Sequence, residues 1–233
     1  MIPARREINP DKGSTESFEF LRSCLDLCST EHEACRQRCI SLPTRLMEIY
    51  DGVKGSIRLV DSSSAVSSSY VALSYCWGGN ITMKCTTSNI NDLRNGVNLT
   101  ELPRTIREAI NLTTKLALKY IWVDVLCIIQ DDKSDWEREA KKMGTIYENA
   151  YLTVAAACSS SSEQGFMLPQ TEKMPFRVNL CDSNGNPVVI GMRKILRCGI
   201  HGSRSDPWHH RGWTLQEGLL STRLVSYTSK EIQ

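Results

Sequence analysis

The sequence lacks any apolar run approaching the roughly 20 residues that a helix needs to cross a bilayer, so no membrane span is expected. Its opening, Met1 to Pro10, holds no apolar core, which argues against a secretory signal. Charge imbalance is missing too: 28 Lys and Arg face 26 Asp and Glu, for a net charge of +2. A nucleic-acid-binding surface would show a clustered basic stripe, and nothing here argues for one, so no nucleic-acid partner is expected. No internal repeat is present. These absences predict a cytoplasmic protein.

What is present is 233 residues, 41% of them hydrophobic, enough for one sizeable core and a small appended unit. Ten cysteines is a high count. Without an export signal, disulfides are disfavoured. Six of them, Cys76, Cys85, Cys127, Cys158, Cys181 and Cys198, are scattered and read as reduced, buried thiols acting as small hydrophobes.

The other four cluster near the start. Cys24, Cys28, Cys35 and Cys39 form two pairs, each one helical turn apart, with His32 between them. Two such pairs on a helical hairpin would close a tetrahedral zinc site, and Cys28, His32 and Cys35 alone would supply three ligands. The competing reading is two helices packed through small apolar thiols.

Along the chain, residues 1–15 read as disordered and 16–40 as helical, with Phe18, Leu21, Leu25 and Cys28 at a 3–4 spacing. Arg45 to Tyr50 and Ser56 to Val60 alternate as two strands around a turn at Asp51-Gly52. A serine-rich loop over 61–69 leads to a compact apolar strand, Tyr70 to Tyr75, which ends in the turn Cys76-Trp77-Gly78-Gly79. A helix is expected over 100–119, with Leu102, Ile106, Ile110, Thr113 and Ala117 on one face. Tyr120 to Ile129, apolar except for Asp124, reads as a central strand. A helix over Asp131 to Tyr147, opened by two acids, and a buried strand over Tyr151 to Ala157 follow. Asp182 to Pro187 marks the turn of a hairpin, Arg211 to Leu220 returns to helix, and Leu224 to Tyr227 is a further strand.

Strand, helix, strand, helix, strand is the order of an open parallel α/β sheet. The expected division is a helical, cysteine-containing extension over 1–41 and an α/β domain over 42–233.

Three blocks resemble the signature of the fungal heterokaryon incompatibility (HET) domain family. They are Tyr70-Val71-Ala72-Leu73-Ser74-Tyr75-Cys76-Trp77-Gly78, then Ile121-Trp122-Val123-Asp124-Val125-Leu126-Cys127-Ile128-Ile129-Gln130-Asp131-Asp132, then Arg211-Gly212-Trp213-Thr214-Leu215-Gln216-Glu217. Ile129 stands where the family commonly has Asn, and Gly212 where Ala is frequent. The family is in turn distantly similar to TIR domains, whose Ser-Tyr element Leu73-Ser74-Tyr75 resembles and whose Trp-to-Glu spacing Trp213 to Glu217 shares. The resemblance implies a TIR-like, flavodoxin-like open parallel sheet flanked by helices. It implies a role in allorecognition or innate immunity that leads to programmed cell death, exerted after self-association into oligomers or through signalling partner proteins. From the TIR likeness it implies an NAD(P) glycohydrolase in which Glu217 is catalytic.

In that chemistry the ribosyl carbon becomes oxocarbenium-like, and a carboxylate beside it stabilises the charge. Glu217 would take that role with NAD as substrate. Ser74, Tyr75, Trp77, Gly78, Asp124, Asp131, Arg211 and Trp213 are the candidate NAD-binding residues: tryptophans to stack on a ring, a glycine turn and an arginine to meet phosphate. Trp213, four residues before Glu217, is expected on the same helix face. Each assignment has a plainer competitor. Glu217 reads equally as a solvated helix residue paired with Arg223, the tryptophans as core anchors, and Asp124 as a buried acid fixing adjacent loops. Asp131 and Asp132 suit Mg²⁺ or simply a helix start. Arg211 also suits a structural pairing with a sheet-edge acid. The enzymatic reading stands beside a non-enzymatic one, a self-associating signalling module.

Overall fold

The computed structural model describes residues 9–35, 41–51, 56–65, 69–79, 81, 83–169, 176–181, 185–192 and 206–233. In chain order its elements begin with α1 (Thr15–Glu31), β1 (Arg45–Asp51), β2 (Ser56–Asp61), β3 (Tyr70–Ser74), α2 (Ile90–Asn95), β4 (Val97–Asn98), α3 (Arg104–Lys115) and β5 (Tyr120–Trp122). There follow α4 (Asp124–Cys127), α5 (Lys133–Ala140), α6 (Met143–Asn149), β6 (Leu152–Ala155), β7 (Phe176–Cys181), β8 (Pro187–Met192), α7 (Thr214–Leu220) and β9 (Leu224–Ser226).

A seven-stranded sheet runs in the order β4-β2-β1-β5-β3-β6-β9. Its working half is parallel. Tyr70 pairs with Tyr120, Ser74 with Ala155, and Ala155 with Ser226, so β5, β3, β6 and β9 all end at one edge. The other half, β1, β2 and β4, is antiparallel and covers the β5 side. This is the open, helix-flanked α/β sheet of the flavodoxin-like kind that the sequence order predicts. The hairpin β7–β8 is also present as a separate two-stranded unit, although residues 182–184 of its turn lie outside the described residues.

The five residues of β3 are all buried, because helices cover both faces of a parallel sheet. α3 is amphipathic, turning Ile106, Ala109, Ile110 and Thr113 inward. It ends earlier than expected. Ala117 adopts φ 58°, a left-handed stop, and the Leu118 N–H closes back on the Thr113 carbonyl at 3.1 Å.

Tyr120 to Ile129 is not one strand. β5 stops at Trp122, and Asp124–Cys127 is a buried helical turn, with the Cys127 N–H bonded to the Val123 carbonyl at 2.8 Å. A short apolar run has the same periodicity in either state. The expected helix over 131–147 is two helices. α5 is tied to β1 through buried acids described below. α6 is tied to β3, where the Tyr70 hydroxyl donates to the Ile146 carbonyl at 2.6 Å and Tyr147 to that of Leu73 at 3.3 Å. One straight helix does not serve both anchors.

α1 belongs to the same core: Phe18, Leu21 and Leu25 pack with the sheet residues. Residues 9–14, expected to be disordered, form an ordered lead-in. Ser14 caps α1 by accepting from the Ser17 N–H, and the buried Lys12 ammonium donates to the Thr228 carbonyl. Residues 1–8 and 36–40 lie outside the described residues.

Candidate functional site

The edge where the parallel strands end gathers most of the singled-out polar residues. Ser74 closes β3 and Tyr75 follows it, Asp124 opens the turn after β5, and Glu217 comes in from α7. Glu217 is 3% exposed, not solvated. Its Oε2 accepts from the Ser74 hydroxyl, and Ser74 Oγ in turn accepts from Trp208 Nε1 at 2.6 Å. The guanidinium beside it is that of Arg211, with Nη1 3.7 Å from Oε2. Arg223 is engaged elsewhere, donating to the carbonyls of Tyr151 and Cys35 and to the Ser29 hydroxyl.

Asp124 is held by two donors: Trp77 Nε1 at 2.8 Å on one oxygen and the Val125 N–H at 2.7 Å on the other. Its carboxyl is enclosed by protein although the residue keeps some exposed surface. Burial pushes it up to about 6, against the pull of both hydrogen bonds, and the nearby Glu217 charge adds to the rise. Burial likewise raises Glu217, while the Arg211 charge and the Ser74 hydrogen bond oppose the shift. Two carboxylates and one arginine thus share a single electrostatic neighbourhood.

That neighbourhood is under-satisfied. Among the described residues, neither the buried Tyr75 hydroxyl nor Arg211 Nη1 makes a well-formed hydrogen bond. Buried polar groups rarely go without partners, and these two lie beside Glu217 and Asp124.

Gly78 serves the turn itself. At φ +81° its Cα faces Ser161, and an added Cβ would lie 2.5 Å from the Ser161 Cβ. The close approach is to protein, so the geometry does not require a phosphate there.

Two expected members stand apart. Trp213 precedes the first turn of α7 and is 58% exposed, so it does not share a face with Glu217 despite the spacing. Its backbone is already helical and its carbonyl accepts from the Glu217 N–H at 3.0 Å, yet its indole stays in solvent while Glu217 is buried. Asp131 is taken up by Thr87, accepting from its N–H and its hydroxyl at 2.8 Å each. Asp132 caps α5 through the Ser134 and Asp135 N–H groups, so both acids have local partners without a metal.

Trp208 and Tyr147 are site residues that the sequence reading did not single out. Trp208 follows Asp206-Pro207, a helix-start pair, and a buried indole N–H needs a partner, which here is Ser74. Tyr147, on α6, packs edge-on against the core residue Trp122 and feels the Glu217 and Asp124 charges.

Among the N-terminal thiols, Cys28, His32 and Cys35 come together, each offering a ligand atom within 4.8 Å of the others. Cys24 is exposed and outside that group, and Cys39 lies outside the described residues. Cys76, Cys85 and Cys127 are buried free thiols, Cys158 is half-buried and Cys181 is exposed on the hairpin; Cys198 lies outside the described residues.

An open α/β sheet with two acids gathered beyond its strand ends defines a class with one concentrated polar site. The family model for heterokaryon incompatibility protein (HET) matches residues 70–217, and the chain belongs to that family. The matched span holds Ser74, Asp124, Arg211 and Glu217. No curated protein and no solved structure matches the chain. No helix among the described residues is long and apolar enough to cross a membrane.

Proposed function

We infer that this heterokaryon incompatibility protein is a cytoplasmic cell-death effector that cleaves the glycosidic bond of NAD. The observation that carries the reading is the gathering of Glu217, Asp124 and Arg211 in one electrostatic neighbourhood at the carboxyl edge of the parallel strands, with the buried Tyr75 hydroxyl beside them. In the reaction the bond from ribose C1′ to the nicotinamide nitrogen breaks, and its electron pair neutralises the pyridinium. Ionised Glu217 stabilises the positive charge that develops on the ribose. Water then attacks C1′ and loses a proton to Asp124, whose carboxyl, raised to about 6, is matched to accept it near neutral pH. Arg211 Nη1 and the Tyr75 hydroxyl meet ligand oxygens.

Arg211 is partly exposed and lies over Glu217, so substrate entry requires it to move aside. Self-association is the proposed trigger. α7 turns Leu215 and Leu219 outward, with Trp213 exposed just before it, an apolar surface suited to a neighbouring copy. The same surface favours the second reading, a signalling module that kills through partners and without chemistry.

The test is nicotinamide release from NAD by purified protein at concentrations that drive assembly, wild type beside Glu217→Gln. Release that falls by a factor of about 10³ or more in the variant supports the enzyme. No release from folded, assembled wild type supports the signalling module.

A further inference from the structure

Away from the acid site, the end of α1 gathers a second reactive group. Cys28 lies in the last turn of α1, and His32 follows at the extended C-cap, which brings its imidazole back beside the Cys28 sulfur. Glu33–Cys35 then makes a single tight turn, in which the Cys35 N–H donates to the His32 carbonyl at 3.0 Å. That turn folds the third ligand back, and the two sulfurs and an imidazole nitrogen lie within 4.8 Å of one another. Tetrahedral zinc holds sulfur at about 2.3 Å and nitrogen at about 2.0–2.1 Å, which sets ligand-to-ligand edges near 3.5–3.8 Å. Shifts of about 1 Å, chiefly in the exposed His32 side chain, close the group to that size.

The support behind the group reaches the sheet. Arg223 immediately precedes β9 and stacks 4.9 Å from the Tyr151 ring centroid. Its guanidinium donates to the Ser29 hydroxyl at 3.1 Å and to the Cys35 carbonyl, and it lies within electrostatic reach of both sulfurs. Ligands held in this way by an outer partner are oriented before the ion arrives. Two thiolates cancel the charge of a divalent ion, and their protons leave to solvent on binding. Two sulfurs and an imidazole select zinc over the oxygen-seeking magnesium or calcium.

We propose that Cys28, His32 and Cys35 bind one zinc ion, which clamps the end of α1 to the Arg223 corner of the sheet. The clamp is independent of the NAD reading, since none of its ligands touches Glu217 or Asp124.

The experiment uses the full chain, loaded with zinc, dialysed exhaustively and assayed for metal by elemental analysis. Affinity is then measured against a chromophoric chelator, and cobalt(II) replaces zinc as a spectroscopic probe. The expected result is about one ion per chain, with thiolate-to-cobalt charge-transfer bands and a tetrahedral spectrum. Cys28→Ser and Cys35→Ser each weaken binding by ~100-fold or more, beyond the 10–100-fold typical of outer partners. His32→Ala weakens it in the same direction, and Cys24→Ser leaves it unchanged. The wild-type cobalt spectrum reports sulfur ligation even if a variant misfolds. Sub-stoichiometric metal, cobalt without sulfur bands, a Cys28–Cys35 disulfide forming in place of uptake, or an ion that survives the double Cys28→Ser/Cys35→Ser change would each overturn the proposal.

Discussion

Asp135 and Glu139 on α5 are as deeply buried as Glu217, yet their surroundings are opposite in kind. Asp135 is bracketed by Arg45 and Arg138 and also accepts from the Ile129 N–H at 2.9 Å. Glu139 accepts from Thr44 Oγ1 at 2.7 Å and pairs with Lys142 at 3.3 Å. Arg45 spends its remaining reach on the Cys127 carbonyl at 2.8 Å. Burial by itself would raise Asp135, but the Arg45 hydrogen bond, the Ile129 N–H and the charges of Arg45 and Arg138 hold it below the usual carboxylate range. At the other end of α4, Asp124 and Glu217 share one arginine 3.7 Å from its carboxylate, and both are raised. A saturated network locks α5 to β1. An under-saturated one leaves both acids raised, Asp124 to about 6, the pattern of a site that acts on something.

The comparison breaks most visibly at Arg45. Arg45→Met leaves the buried Asp135 with only the half-exposed Arg138 as counter-charge and is expected to cost up to about 3–5 kcal/mol, read from the denaturant midpoint. Changing Asp135 to Leu in the same chain should recover most of that loss, because the uncompensated charge goes too. If the single change costs under about 1 kcal/mol, the network is not a lock.

A smaller effect follows pH. A carboxyl raised on folding contributes stability that is complete below its unfolded value near 4 and is lost as pH rises through its folded value. For Asp124, raised from 3.8 to about 6, stability should therefore decline between pH 4 and pH 7, by up to about 3 kcal/mol. Glu217 adds in the same direction. Asp135, being lowered, acts oppositely, and its contribution is lost as pH falls below the usual carboxylate value. Unfolding curves across this range should flatten between pH 5 and pH 7 in Asp124→Asn; an unchanged slope would remove Asp124 from the account.

The smallest effect is expected at Trp213. Because its indole is exposed, Trp213→Ala should change stability by no more than about 0.5 kcal/mol and leave monomer folding intact. Weaker self-association on analytical ultracentrifugation would mark it as contact surface, and unchanged association would place the assembly face elsewhere.

Much of this architecture was legible in the sequence. The run Tyr70 to Leu73 is continuously apolar, as a doubly covered strand requires, and α3 shows its face by spacing. The burial of Glu217 was not legible. A Trp-to-Glu spacing of four suggested a shared face, but at the first turn of α7 Trp213 is exposed while Glu217 is buried, and Trp208, from an unpatterned stretch, meets Ser74 instead. Asp124 could be read as an oddity in an apolar run; that the run bends into a helical turn there depends on its own side chain and on Trp77, a contact between residues 47 apart. Likewise the spacing of the cysteines left open either two pairs or the three ligands Cys28, His32 and Cys35, and among the described residues the cap and tight turn after α1 bring those three together.

The most direct measurement pairs stability with chemistry in one variant. In Glu217→Gln the amide still accepts from Ser74, and a raised, buried charge is removed, so the denaturant midpoint should stay within about 1 kcal/mol of wild type while nicotinamide release disappears. Loss of stability on the scale expected for Arg45→Met, or release that persists in the folded variant, would make Glu217 a structural acid like Asp135 and contradict the account.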